Sequence, residues 1–184
     1  ADTLAKIVQQ KSNTKMTSPS KHDATASALG FRYQERYALL RLLESKDDEA
    51  AVAVEALDDV HLKANGIDLL EQLKHSLDPN PKPLTLKSEN LWTTLRIWCE
   101  LLPTLELEST KFALIAVAPI ADKSPLCSLK TEGSERTSLL ADLQTEAERV
   151  VEEIEAAKLG GKPKTHKKRA PGAAAFLALS ESQR

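Results

Sequence analysis

The stretch AVAVEALDDVHLKANGIDLLEQLKH, residues 51–75, decides the fold. It holds three short segments of strand character. AVAVEA (51–56) sets Val52 and Val54 on one face and Glu55 on the other. DVHLK (59–63) groups Val60 with Leu62 and leaves Asp59 and His61 opposite. In IDLLEQLKH (67–75) the two-residue period puts Gln72 and Lys74 on one face and Leu69 and Leu73 on the other. Asn65-Gly66, lying between apolar runs, predicts a tight hairpin, because both residues tolerate positive φ.

Upstream, ATASALGFRYQERYALLRLLES (24–45) has helical spacing at Leu29, Tyr33, Tyr37, Leu40 and Leu43. Gly30-Phe31 inside it leaves the start open. Residues 1–23 read as a polar leader. Downstream, SLDPNPKPL (76–84) must be a loop, since its three prolines cannot donate to a ladder. KSENLWTTLRIWCELLPTLEL (87–107) predicts a helix with Leu91, Leu95, Trp98 and Leu102 in register, ended or kinked by Pro103. KFALIAVAP (111–119) is a continuous apolar run suited to a buried strand.

A helix is expected over 135–158, with the seam Leu140, Leu143, Ala147, Val150, Ile154 and Ala157. Gly160-Gly161 stops it. The seam serves packing within the chain or against a following domain, with a dimer or partner helix as the second option. KPKTHKKR (162–169) is basic. Its Lys162, Lys164, Lys167, Lys168 and Arg169 are either phosphate-neutralising groups or a solvated linker. AAAFLALSESQR opens a further helix, and the text reads as part of a longer chain. The division expected is a leader (1–23), a main domain (24–158), then a basic linker with the start of a further helix or truncated C-terminal region (159–184). The order α-β-β-β-α-β-α predicts an α/β domain with a mixed central sheet flanked by helices.

Bulk properties narrow the function. The 184 residues suit one compact domain, and 41% hydrophobic with 28% charged content is ordinary globular usage. A net charge of −2 gives no global signature of nucleic-acid binding, so that reading has to rest on local residues. Cys99 and Cys127 form no ligand cluster, which argues against zinc and favours two free thiols. No apolar run nears the roughly 18 residues of a membrane span, and no signal-peptide pattern opens the chain. A cytoplasmic protein with no membrane association is expected. Ser/His/Asp, Walker and GxGxxG patterns are absent.

The chemistry-bearing residues are Glu55, Asp59, Gln72 and Lys74, with Asp58 as the rival to Asp59. Adjacent strands lie about 4.8 Å apart, so these side chains can converge. Two acids, an amide oxygen and an ammonium suit phosphodiester hydrolysis. Hard oxygen ligands hold Mg²⁺ or Mn²⁺, which screens the anionic substrate and acidifies a bound water. A lysine beside that water orients it or offsets charge developing at phosphorus. The structural alternative is that Asp58-Asp59 form only a turn and that Gln72 and Lys74 line a solvated strand face. His61 and His75 read as surface histidines, and Trp92 and Trp98 as core residues.

The order D-x(n)-(D/E/Q)-x-K across hairpin-connected strands, preceded by a helix, resembles the PD-(D/E)xK restriction-endonuclease-like superfamily. GFRYQ (30–34), VEALDDV (54–60), EQLKHS (71–76) and LWTTLRIW (91–98) resemble the DNA endonuclease domain of bacterial CD-NTase-associated anti-phage effectors. The similarity spans about residues 25–118. It implies a restriction-endonuclease-like α-β-β-β-α-β core, and a magnesium-dependent endonuclease that cuts double-stranded DNA. It further implies a cytoplasmic setting in bacteria, activation by a sensor domain or an SMC-like or other ATPase partner, and oligomer formation.

By position, Asp59 matches the metal-binding aspartate, Gln72 replaces the second acid and Lys74 matches the lysine. Glu55 is an added acid in the metal set, and Gln34 and Glu35 match polar positions on the first helix. Glutamine at 72 brings a neutral carbonyl oxygen where a carboxylate is usual, so an ion is held with less charge. The rivals are an inactive nuclease-like assembly module and an RNase on the same scaffold.

Overall fold

A computed structural model describes residues 21–74, 78, 80–131, 133–161 and 165–183. The polar leader lies outside these apart from its last three residues, as do His75, Lys162 and Lys164. The elements run α1 (Lys21–Glu44), β1 (Ala51–Val54), β2 (Val60–Ala64), β3 (Ile67–Lys74), α2 (Glu89–Leu101), β4 (Thr110–Ala116), α3 (Thr137–Leu159) and α4 (Ala170–Leu177). The fold is α/β, with a four-stranded mixed open sheet in the order β1-β2-β3-β4.

The two hairpins are antiparallel, with Val54 opposite Val60 and Val60 opposite Glu71. Asn65 and Gly66 both have positive φ, 52° and 73°, as a two-residue hairpin turn requires. After α2 the chain returns to pair β4 parallel to β3, with Gln72 beside Leu114 and Lys74 beside Ala116. A parallel partner needs such a crossover, because a tight turn can only reverse the strand. Pro103 falls in a short 3-10 turn (Leu102–Thr104) that follows α2, since its ring cannot sit within the helix ladder.

Strand periodicity divides the sheet into two faces. One carries Val52, Val54, Val60 and Leu73 and packs against Tyr37 and Ala38 of α1. The other carries Phe112 and Leu114 of β4 and looks toward a helical layer. In that layer Trp92, Leu143, Ala147, Val150, Ala173 and Phe176 form the larger core. The residues of α1 that miss the sheet, including Leu39, Leu40 and Leu43, stay exposed. Gly30 and Phe31 lie within α1, which runs unbroken through them.

The seam of α3 packs within the chain, the first of the options its spacing left open: Leu143, Ala147 and Val150 are buried in the same core as α4. And α4 is packed into the core, so a boundary at residue 158 does not separate it from what precedes. Gly172 explains the fit, because a Cβ there would lie 2.1 Å from the Trp92 carbonyl oxygen. Only glycine lets α4 approach α2 so closely. A buried ion pair, Arg169 to Glu146 at 2.6 Å, ties the start of α4 to α3.

Candidate active site

The candidate residues meet at the end of the sheet where β1 turns into β2 and β3 finishes. Glu55 has left-handed backbone, φ 56°, and its amide donates to the Asp59 carbonyl at 3.1 Å. This closes the β1–β2 turn and fixes Asp58 and Asp59 at the mouth of β2. One Asp58 carboxylate oxygen accepts from the Asp59 amide at 3.0 Å. The other accepts from Trp98 Nε1 of α2 at 2.7 Å. Asp59 Oδ2 accepts from the Leu73 amide at 2.7 Å, which pins it to β3. Continuing the β2–β3 register one step beyond Val60 and Glu71 brings Asp59 beside Gln72.

Gln72 is 2% exposed, and its carbonyl oxygen Oε1 has no hydrogen-bond partner. Lys74 lies on the same strand face, two residues on. Burial lowers the Lys74 pKa, opposed by Asp59 and Asp58, whose negative charges both reach its ammonium. Burial raises the Asp58 carboxyl above the ordinary range, opposed by its hydrogen bonds from Trp98 and the Asp59 amide and by the Lys74 charge. The site is thus a desolvated patch in which two acids and one ammonium sense each other around an unsatisfied amide oxygen.

Leaving a buried amide oxygen unpaired costs about 1–3 kcal/mol. It is a hard oxygen donor, neutral and partnerless, of the kind a magnesium-like ion accepts. Asp59, Gln72 and Asp58 are oxygen-bearing side chains at this end of the sheet. Among the described residues no three His, Cys, Asp or Glu side chains group as a metal site. The set here is two carboxylates and an amide.

Asp58, Asp59, Gln72 and Lys74 lie at the same end of the sheet, with Lys74 within electrostatic reach of both acids. Glu55 sits in the adjoining turn and is exposed. Glu35 is exposed on α1. Gln34 lies one turn from Tyr37 and Ala38, on the helix that covers the opposite sheet face. Its Oε1 is also buried without a partner.

Arg169 is a correction: it is 9% exposed and held by Glu146, so it is not an open phosphate contact. Charge complementarity inside the helical layer claimed it. Lys168 is exposed and pairs with Glu89 at 3.1 Å, and Lys167 is exposed. The helical spacing makes Trp98 a core residue and gives no sign of its hydrogen bond to Asp58, a partner 40 residues away.

Beside Lys74, whose carbonyl accepts from the Val117 amide at 3.2 Å, an open hollow of about 540 Å³ is lined by Asp78, Asn80, Pro81, Val117 and Pro119. No helix among the described residues is long and apolar enough to cross a membrane. Compared with protein-family models, with curated proteins and with solved structures, the chain shows no match.

Proposed function

We propose that this chain is a metal-dependent endonuclease domain of the PD-(D/E)xK type, acting on double-stranded DNA as part of a bacterial anti-phage effector. The observation that carries the reading is the unpartnered, buried carbonyl oxygen of Gln72, set with Asp58, Asp59 and Lys74 at one end of the sheet. The α-β-β-β-α-β order supports it as a restriction-endonuclease-like core.

In this reading Asp59 and Gln72 hold Mg²⁺ (or Mn²⁺), with Asp58 as the third oxygen donor. Asp58 is preferred to Glu55 because its charge reaches Lys74. The bound ion would screen phosphate charge and make a water more acidic. Lys74, within electrostatic reach of both acids, would orient the attacking water and offset charge on the phosphoryl oxygens. Trp98 holds Asp58 in place through its indole N–H.

A sensor module or partner ATPase, and self-association, are the implied means of activation. The apolar side of α1, with Leu39, Leu40 and Leu43 exposed, offers a surface for either. The alternative of an assembly module keeps this surface and dispenses with the metal.

The test is plasmid cleavage with Mg²⁺ by the full protein together with its genomic neighbours. Cutting by the native chain and none by a folded Lys74→Ala variant is the expected result. Equal cutting by both would overturn the assignment. Calorimetry showing no Mn²⁺ binding, alongside a tight partner complex, would favour the assembly module, and cleavage of RNA duplex alone would redirect it to RNase activity.

A further inference from the structure

A cavity of about 410 Å³ lies between the helix-facing side of edge strand β4 and the helical layer. Leu95 and Trp98 of α2, Phe112 and Leu114 of β4, and Leu143 of α3 are among its walls. The layers meet there through long side chains such as Trp98 against Phe112, ring centres 5.1 Å apart. α2 and α3 pack chiefly on α4, not on the sheet. Protein interiors keep few voids larger than a water molecule. An apolar space this size would hold water poorly, since its walls offer few polar partners. Its volume falls in the range of small-molecule sites.

Two cations complete it. Lys130, at the end of the 3-10 turn Pro125–Lys130, and Arg136, which precedes α3, both line the cavity and are both exposed. They therefore form its rim. Neither makes an ion pair with a described residue. The neighbouring acid Glu135 accepts from the Thr137 amide at 2.6 Å. Apolar walls under a cationic rim select a molecule with an apolar body and one anionic head.

We propose that this cavity is a binding site for a small amphipathic anion of the acyl-carboxylate class, with its chain against Trp98, Phe112 and Leu114 and its head between Lys130 and Arg136. This does not depend on the nuclease reading. It is tested on the purified full chain with anilinonaphthalene sulfonate, an apolar ring system bearing one anionic group, followed by energy transfer from tryptophan, as Trp98 is in the wall. The expected result is one saturable site from which dodecanoate displaces the probe at least tenfold more effectively than dodecanol.

The double substitution Lys130→Glu and Arg136→Glu, at exposed positions that leave the core intact, should weaken probe binding at least tenfold. Leu114→Trp, which fills the space, should remove it. Absence of saturable binding by the native chain, equal displacement by the acid and the alcohol, or unchanged affinity in the charge-reversed protein would each overturn the proposal. The charge-reversed protein decides the matter even if Leu114→Trp fails to fold.

Discussion

Glu71 and Gln72 are neighbours on β3, each 2% exposed, and they point to opposite sides of the sheet. Glu71 faces α1, where its carboxylate accepts from Tyr37 at 2.9 Å and from Arg41 Nε at 3.1 Å. Gln72 faces away from α1, and its carbonyl oxygen has no partner. One chain direction, one depth and two polar side chains give opposite outcomes. A buried polar group with its partners in the fold is part of the architecture. One without them either costs stability or awaits something from outside.

The largest test of this contrast is on chemistry. Lys74→Ala should reduce Mg²⁺-dependent DNA cleavage by at least 100-fold, with the circular dichroism spectrum unchanged. Plasmid relaxation and linearisation assays read it, and residual cutting within a few-fold of native would detach Lys74 from the function.

The next is on stability. Glu71→Ala leaves Arg41 and Tyr37 without their acceptor and should cost about 2–3 kcal/mol in urea unfolding, less than a fully enclosed pair because Arg41 is partly solvated. A loss below about 0.5 kcal/mol would mean the cluster on the α1 side is no firmer than the orphan beside it.

Gln72→Leu sharpens the comparison from the other side. It removes an unsatisfied polar group at similar volume, so stability should stay level or rise by about 1 kcal/mol. Mn²⁺ affinity by calorimetry should fall at least tenfold. A variant destabilised by more than about 2 kcal/mol would show that the amide already has a partner.

The smallest effect is in pH dependence, with metal removed by a chelator. Burial raises the Asp58 pKa in the folded state, so the folded protein binds this proton more tightly than the unfolded chain. The contribution is fully present below the unfolded value of about 3.9 and is lost as pH rises through the folded value. The native chain should therefore lose stability relative to Asp58→Asn across that interval. A difference that stays flat or grows with pH would place Asp58 in a more polar setting.

Much of the fold is legible in the sequence. The Asn65-Gly66 hairpin, the pairing of Gln72 with Lys74 on one face and the crossover to β4 follow from local rules: period two in strands, positive φ at tight turns, helix spacing in α2. What escaped were relations between distant segments. Nothing local in Arg169 separates it from the lysines before it, yet Glu146 takes it into the core. The spacing of the α3 seam predicts packing within the chain or against a following domain first and an outside partner second, but does not name α4 as its cover, because spacing describes a face and not what covers it. The sequence favours Glu55 and leaves Asp58 as the rival to Asp59, since whether a carboxylate in a turn is exposed or buried depends on what packs above it, and here Glu55 is exposed and Asp58 buried.

The amino-acid order by itself determined the strands, their faces and the crossover helix, because backbone sterics and hydrophobic periodicity act over a few residues. Tertiary structure alone decided that Trp98 anchors Asp58, that Tyr37 and Arg41 satisfy Glu71, and that Gln72 goes unmatched. Burial and hydrogen-bond satisfaction are set by groups far apart in the chain, and only packing brings those groups together.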